Sequence, residues 1–275
     1  MIAVALALAA SALWGVGDFL GGVTSRRIPT VTVLALSQTA GFLAILVVAL
    51  VAGGGLDTAG GYAAAAAAGI AGAVGLAALY RGMAIGAIGV VAPVSASAAA
   101  IPVAVGLARG ERPSAAQLVG IAIALVGVAL VSREPGTTGR IAAGVPLALL
   151  AAAGFGSYFV FIDRASSEDA FWAVVAARAT SSAFTLTAAA LRGALRVPSD
   201  RLPAVIAVGL FDVGANVALA VALNEGLVSV VSVLASLYPV VTVALAMLVL
   251  RERMGRGQIV GGAAALAGVA LISVG

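Results

Sequence analysis

The stretch QLVGIAIALVGVALVS, Gln117–Ser132, returns as QIVGGAAALAGVALIS, Gln258–Ser273, with 11 of 16 residues identical at an offset of 141. In a chain of 275 residues that offset is about half the length, so one unit has been written twice. The same offset relates Trp14-Gly15 to Phe155-Gly156, Glu111-Arg112 to Glu252-Arg253, and Gly127 to Gly268. Both copies sit in apolar runs long enough to cross a bilayer, which makes the repeated unit a membrane unit.

Composition points the same way: 63% of residues are hydrophobic and 9% charged, against roughly 25% charge in an ordinary soluble domain. The basic residues are 15 arginines scattered between apolar runs, so the net charge of +4 forms no stripe that could follow a nucleic-acid backbone. Lysine, histidine and cysteine are absent. That excludes a disulfide framework, a thiolate or imidazole metal site, and nucleophilic catalysis built on His or Cys. No cofactor is implied, and an enzyme is not the expected reading. The first apolar run begins at residue 2 without a basic segment and reads as a retained span rather than a cleaved signal.

Charge, Gly and Pro divide the chain into ten candidate spans: 2–22, 31–52, 61–80, 84–107, 114–132, 141–162, 169–191, 202–224, 227–250 and 257–274. At 1.5 Å per residue each covers about 30 Å of hydrocarbon. Short connections such as TSRRIPT, ARGERPS and RERMGR end them with Pro and clustered charge. Ala and Gly dominate the spans, so close helix approach is the expected packing. The fold expected is an all-α integral membrane protein of ten transmembrane helices, made of two five-helix repeats, 1–135 and 136–275. Because five is odd, the second repeat enters the membrane in the opposite sense, giving inverted topology and a solute path at the interface between halves.

The segments SALWGVGDFLGG (11–22), AALYRGMAIGAIGVVAPVSA (77–96), GERPSAAQLVG (110–120) and LYPVVTVALAMLVLRERMGRGQIVGG (237–262) carry a family resemblance. The chain resembles the ten-helix EamA-type branch of the drug/metabolite transporter superfamily over nearly its whole length. In the second half, Pro239, Glu252, Arg253 and Gly261 match the most specific element; in the first, Ala98 stands where the matching Pro would be, flanked by Pro93 and Pro102. The resemblance implies a multi-pass protein of the cytoplasmic (inner) membrane of a prokaryote. It also implies that the chain moves a small organic metabolite or drug-like solute, commonly outward; the repeat, the Gly-rich interface and the charges within spans point to proton coupling or exchange as the driving force. A lipid-handling or non-transporting membrane scaffold of the same fold is the alternative, since fold does not fix function.

Charges deep in spans are the strongest functional signal, because a charge facing lipid costs about 2.5–3.5 kcal/mol even on the lenient insertion scale. Asp18, Arg178 and Asp212 qualify. Asp18 sits beside GVG and GG, where missing side chains leave room for water or a ligand, and it reads as a cavity or proton-coupling residue or else as a structural carboxylate. Arg178 and Asp212 lie at matching depth in successive spans. They read as a charge pair that either locks two helices or receives an anionic group. Asn216, one turn from Asp212, extends the same face. Trp14, one turn before Asp18, makes with it the best local pair for a cargo pocket, and Phe155, Tyr158, Phe159 and Tyr238 are further stacking candidates. Tyr80 and Trp172, at span ends, read as headgroup anchors. Asn224 and Glu225 read as an interface cluster or an entrance. Glu111 and Glu252 read as helix-end caps.

Other patterns carry little. Four GxxxG matches are what 35 glycines give by chance, so no dimer surface or oligomeric state is indicated. Orientation draws two opposed expectations. Connections after odd-numbered spans hold 11 arginines and the opposite ones three, which places both termini outside the cytoplasm, whereas the resemblance implies both inside.

Overall fold

The computed structural model describes the chain except residues 87, 132–137, 251–255, 258–259, 262, 265–266, 269–270 and 272–275. Its helices are α1 (Ile2–Ser25), α2 (Thr30–Ala52), α3 (Ala59–Ile85), α4 (Ile88–Ser95), α5 (Ala100–Ala108), α6 (Ala115–Val131), α7 (Thr138–Ser166), α8 (Ala170–Leu191), α9 (Leu202–Glu225), α10 (Val228–Ala235) and α11 (Tyr238–Leu250). A 3₁₀ turn at Ala96–Ala99 joins α4 to α5. Among the described residues seven helical stretches are long and apolar enough to cross a membrane, the seventh being Val228–Leu250. The chain is a multi-pass integral membrane protein.

Local chemistry sets the helix ends. Pro29 precedes α2, and Gly53, in the left-handed region at φ 76°, closes it by donating to the Ala49 carbonyl. Thr58 caps α3 by accepting from the Gly61 N–H at 2.9 Å, and Asp169 caps α8 by accepting from the Trp172 N–H at 2.9 Å. Ser114 and Gln117 form a reciprocal capping box at the start of α6, 3.1 and 2.9 Å. Glu111 receives the Val228 and Ser229 N–H groups at 2.9 and 3.2 Å, so this carboxylate caps α10 from across the molecule, as a helix-end role requires. Its counterpart Glu252, and Arg253, lie outside the described residues.

Helices pack through small residues. α3 lies along α7, α1 along α9 and α2 along α8, while α8 also meets α3 and α9 meets α2. Exchanging α1 with α7, α2 with α8 and α3 with α9 returns the same set of pairs. The approach is close: a Cβ on Gly69 would collide with the Ala177 carbonyl oxygen, and one on Gly209 with that of Ser37. Leu43, Val47, Leu50 and Val51 on α2 remain exposed, an apolar face suited to lipid.

Three expectations change. The spans expected at 84–107 and 227–250 are each broken part-way along, the first at Ala96–Ala99 and the second at Ser236-Leu237. The span expected at 61–80 runs on to Ile85, because Arg81 is exposed and reaches the surface from inside a helix. That extension puts Tyr80, 1% exposed, in the core rather than at the headgroups. The expected span 257–274 is described only in fragments.

Candidate functional site

The middle of α9 places Asp212 toward α1, α2 and α8, and four donors converge on its carboxylate. Trp14 Nε1 (3.0 Å) and Asn216 Nδ2 (3.1 Å) donate to Oδ1. Gln38 Nε2 (3.0 Å) and Arg178 Nη1 (2.6 Å) donate to Oδ2. Arg178 Nη1 also donates to Gln38 Oε1, which accepts from Ser181 Oγ at 2.9 Å. Arg178 and Asp212 are nearly sealed, with 7% and 5% of their side chains exposed. Two buried charges are tolerable here because the pair is matched and the carboxylate's acceptor positions are filled.

This network forms one wall of a cavity of about 520 Å³, its open mouth included. The six residues expected from sequence, Asp18, Trp14, Arg178, Asp212, Asn216 and Tyr238, all line it, together with Phe155, Tyr158 and Phe159. Trp14 and Phe159 rings lie 5.8 Å apart, and Phe155 meets Tyr238 edge-on at 6.4 Å. Asp18, 4% exposed, stands apart from the network. Tyr80 lies alongside it, yet the Tyr80 hydroxyl makes no well-formed hydrogen bond among the described residues.

Gln38 and Ser181 were missed by a reading that began from buried charges and aromatic rings. The signal was present: SQT at 37–39 interrupts an otherwise apolar run, and an amide in a span needs a partner as a charge does. The remaining candidates sit elsewhere. Trp172 donates to the Gly53 carbonyl at 3.0 Å and ties the start of α8 to the end of α2, and Asn224 donates to the Ser166 carbonyl at 2.9 Å. Glu225 is exposed at the end of α9.

The two broken helices meet beside the cavity. Tyr238, first residue of α11, shares a 2.5 Å hydrogen bond with Ser95, last residue of α4. Gly156 on α7 lies against the first break, where a Cβ would come 2.6 Å from the Ala98 carbonyl oxygen. Gly15 on α1 lies against the second, where a Cβ would come 2.8 Å from the Tyr238 carbonyl oxygen. Pro102 and Pro239 supply no N–H to their own helices at these breaks. Among the described residues no group of three or more carboxylates is placed to hold a metal ion.

The EamA-like transporter family model matches residues 1–133 and again 142–274. The chain belongs to the EamA-like transporter family. As such it is a membrane transporter of small molecules, within the drug/metabolite transporter superfamily. A search of curated proteins finds no match. A solved structure titled "Crystal structure of protein" is similar, with a TM-score of 0.71 and 20% sequence identity over 99% of this chain and 96% of that one; the likeness is one of fold. For this EamA-like chain, the WG and FG elements now have a physical meaning: each glycine admits a broken helix of the other half.

Proposed function

We propose that the chain is a secondary transporter of ten helices in two five-helix repeats of inverted topology, 1–135 and 136–275. It sits in the cytoplasmic (inner) membrane of a prokaryote and moves a small organic solute, outward, by proton coupling or exchange. The observation that carries this reading is the cavity itself. It lies between α1–α3 on one side and α7–α9 with the start of α11 on the other, and it combines a paired charge, a carboxylate with no ion-pair partner among the described residues, and a cluster of rings. Breaks in matching helices beside the cavity, and helix contacts that survive exchange of the halves, support alternating access by rocking about it. Asp18 serves as the coupling carboxylate, since Asp212 is held by Arg178 and three further donors.

A lipid-handling scaffold would favour a wide apolar lateral opening, whereas the polar groups of this cavity favour a solute. Counterflow in proteoliposomes, with a panel of amino acids and organic cations, tests the proposal. Saturable exchange of at least one solute is expected. Folded, reconstituted protein that exchanges none would sink the transporter reading.

A further inference from the structure

The fixed charges of the cavity do not cancel. Building on the transporter reading above, we infer that the solute is an organic monocation with an aromatic or apolar body, its positive centre held at Asp18. Two carboxylates, Asp18 and Asp212, and one guanidinium, Arg178, line the space, so with all three ionised it carries one net negative charge. Arg178 and Asp212 form one neutral unit through their 2.6 Å contact. Asp18 is left as the unmatched charge.

Among the described residues, the neighbouring helices offer Asp18 no cation. From α3 it faces Tyr80, from α9 Asp212 and from α11 Tyr238. Asp18 is only 4% exposed, and an unmatched charge there costs free energy that a bound cation restores. An anion would add a second uncompensated negative charge, and a zwitterion would leave the first in place. The rest of the lining suits the same ligand. Trp14, Phe155, Phe159 and Tyr238 present π faces and edges at ring separations of 5.8 and 6.4 Å, and such faces attract organic cations.

The chain has two tryptophans, Trp14 and Trp172, so Trp172→Phe leaves a single indole reporter in the cavity. That protein is titrated in detergent with benzyltrimethylammonium, phenylacetate and phenylalanine, and Trp14 fluorescence is read. The cation is expected to bind at least tenfold more tightly than either competitor. Asp18→Asn in the same background should lose at least tenfold in cation affinity, and Asp18→Glu should keep most of it. Phenylacetate or phenylalanine binding as tightly as the cation, no saturable response to the cation, or unchanged cation affinity in folded Asp18→Asn would overturn the inference. If Asp18→Asn does not fold, the ligand ranking and Asp18→Glu decide. Liposome counterflow separates the two levels: transport of anions or zwitterions without cations removes only the charge class, and absence of all transport removes the transporter reading as well.

Discussion

Asp212 accepts from Trp14, Gln38, Arg178 and Asn216, so one carboxylate ties α1, α2 and α8 to α9. Removing the guanidinium strands a buried negative charge. Arg178→Ala should therefore lower unfolding free energy by about 3–5 kcal/mol, while the double change Arg178→Met with Asp212→Leu should recover a large part of the loss. Thermal unfolding in one detergent, followed by circular dichroism, checks both; equal losses in the single and double variants would deny the pairing its role. In the proposed mechanism Asp18 carries the coupling instead. Proteoliposomes with a pH-sensitive dye inside should report proton movement when benzyltrimethylammonium is added, and Asp18→Asn should abolish it. Undiminished proton movement in that variant would leave Asp18 merely lining the cavity. Its burial beside the cavity was readable from sequence because a carboxylate in a span has few places to go. Gln38 was not, because an uncharged amide costs less and its need for Arg178 and Asp212 appears only once three helices converge.

At the level of elements, the spans were legible because hydrocarbon thickness fixes their length: the expected 202–224 became Leu202–Glu225 and 169–191 became Ala170–Leu191. The breaks were not legible in the same way. Pro93 and Pro102 bracket the first, but the 3₁₀ turn falls at Ala96–Ala99, where Gly156 of another helix makes room. Gly156→Ala should cost about 1–3 kcal/mol through overpacking against the Ala98 carbonyl. Gly55→Ala, with nothing within 4 Å of its Cβ, should stay within about 0.5 kcal/mol. Thermal unfolding of the two proteins side by side tests this, and equal costs would show that the break does not depend on the close approach.

Loop contacts give a pH-dependent prediction. Glu168 accepts from the Thr58 hydroxyl at 2.5 Å and from the Thr58 and Asp57 N–H groups at 3.2 and 3.1 Å. These bonds, the Thr58 hydroxyl first, hold its carboxyl below the usual 4.5. A depressed pKa stabilises the fold above the unfolded value, and that contribution is lost as pH falls through the folded value. Glu168→Gln should thus flatten the acid side of a plot of melting temperature against pH below about 4.5 and leave its neutral region without slope. A variant that loses stability as steeply as the parent in acid would show that the clamp does not titrate.

For the whole molecule, the repeat explains most of the architecture. Gln117–Ser132 and its copy point to two halves, the family model matches 1–133 and 142–274, and the α1–α9 and α3–α7 contacts exchange with one another under that repeat. What sequence could not supply was which polar residues share one space, because Trp14, Arg178 and Asp212 are brought together by packing at separations of up to 198 residues. The central claim is that this space opens to each side of the membrane in turn. The chain has no cysteine, so Ser181→Cys introduces a single thiol into the cavity wall with little change in shape. A membrane-impermeant maleimide is applied to sealed vesicles of either orientation. Alternating access predicts labelling of that thiol from both sides, slowed in each case by benzyltrimethylammonium; labelling confined to one side under all conditions would contradict it.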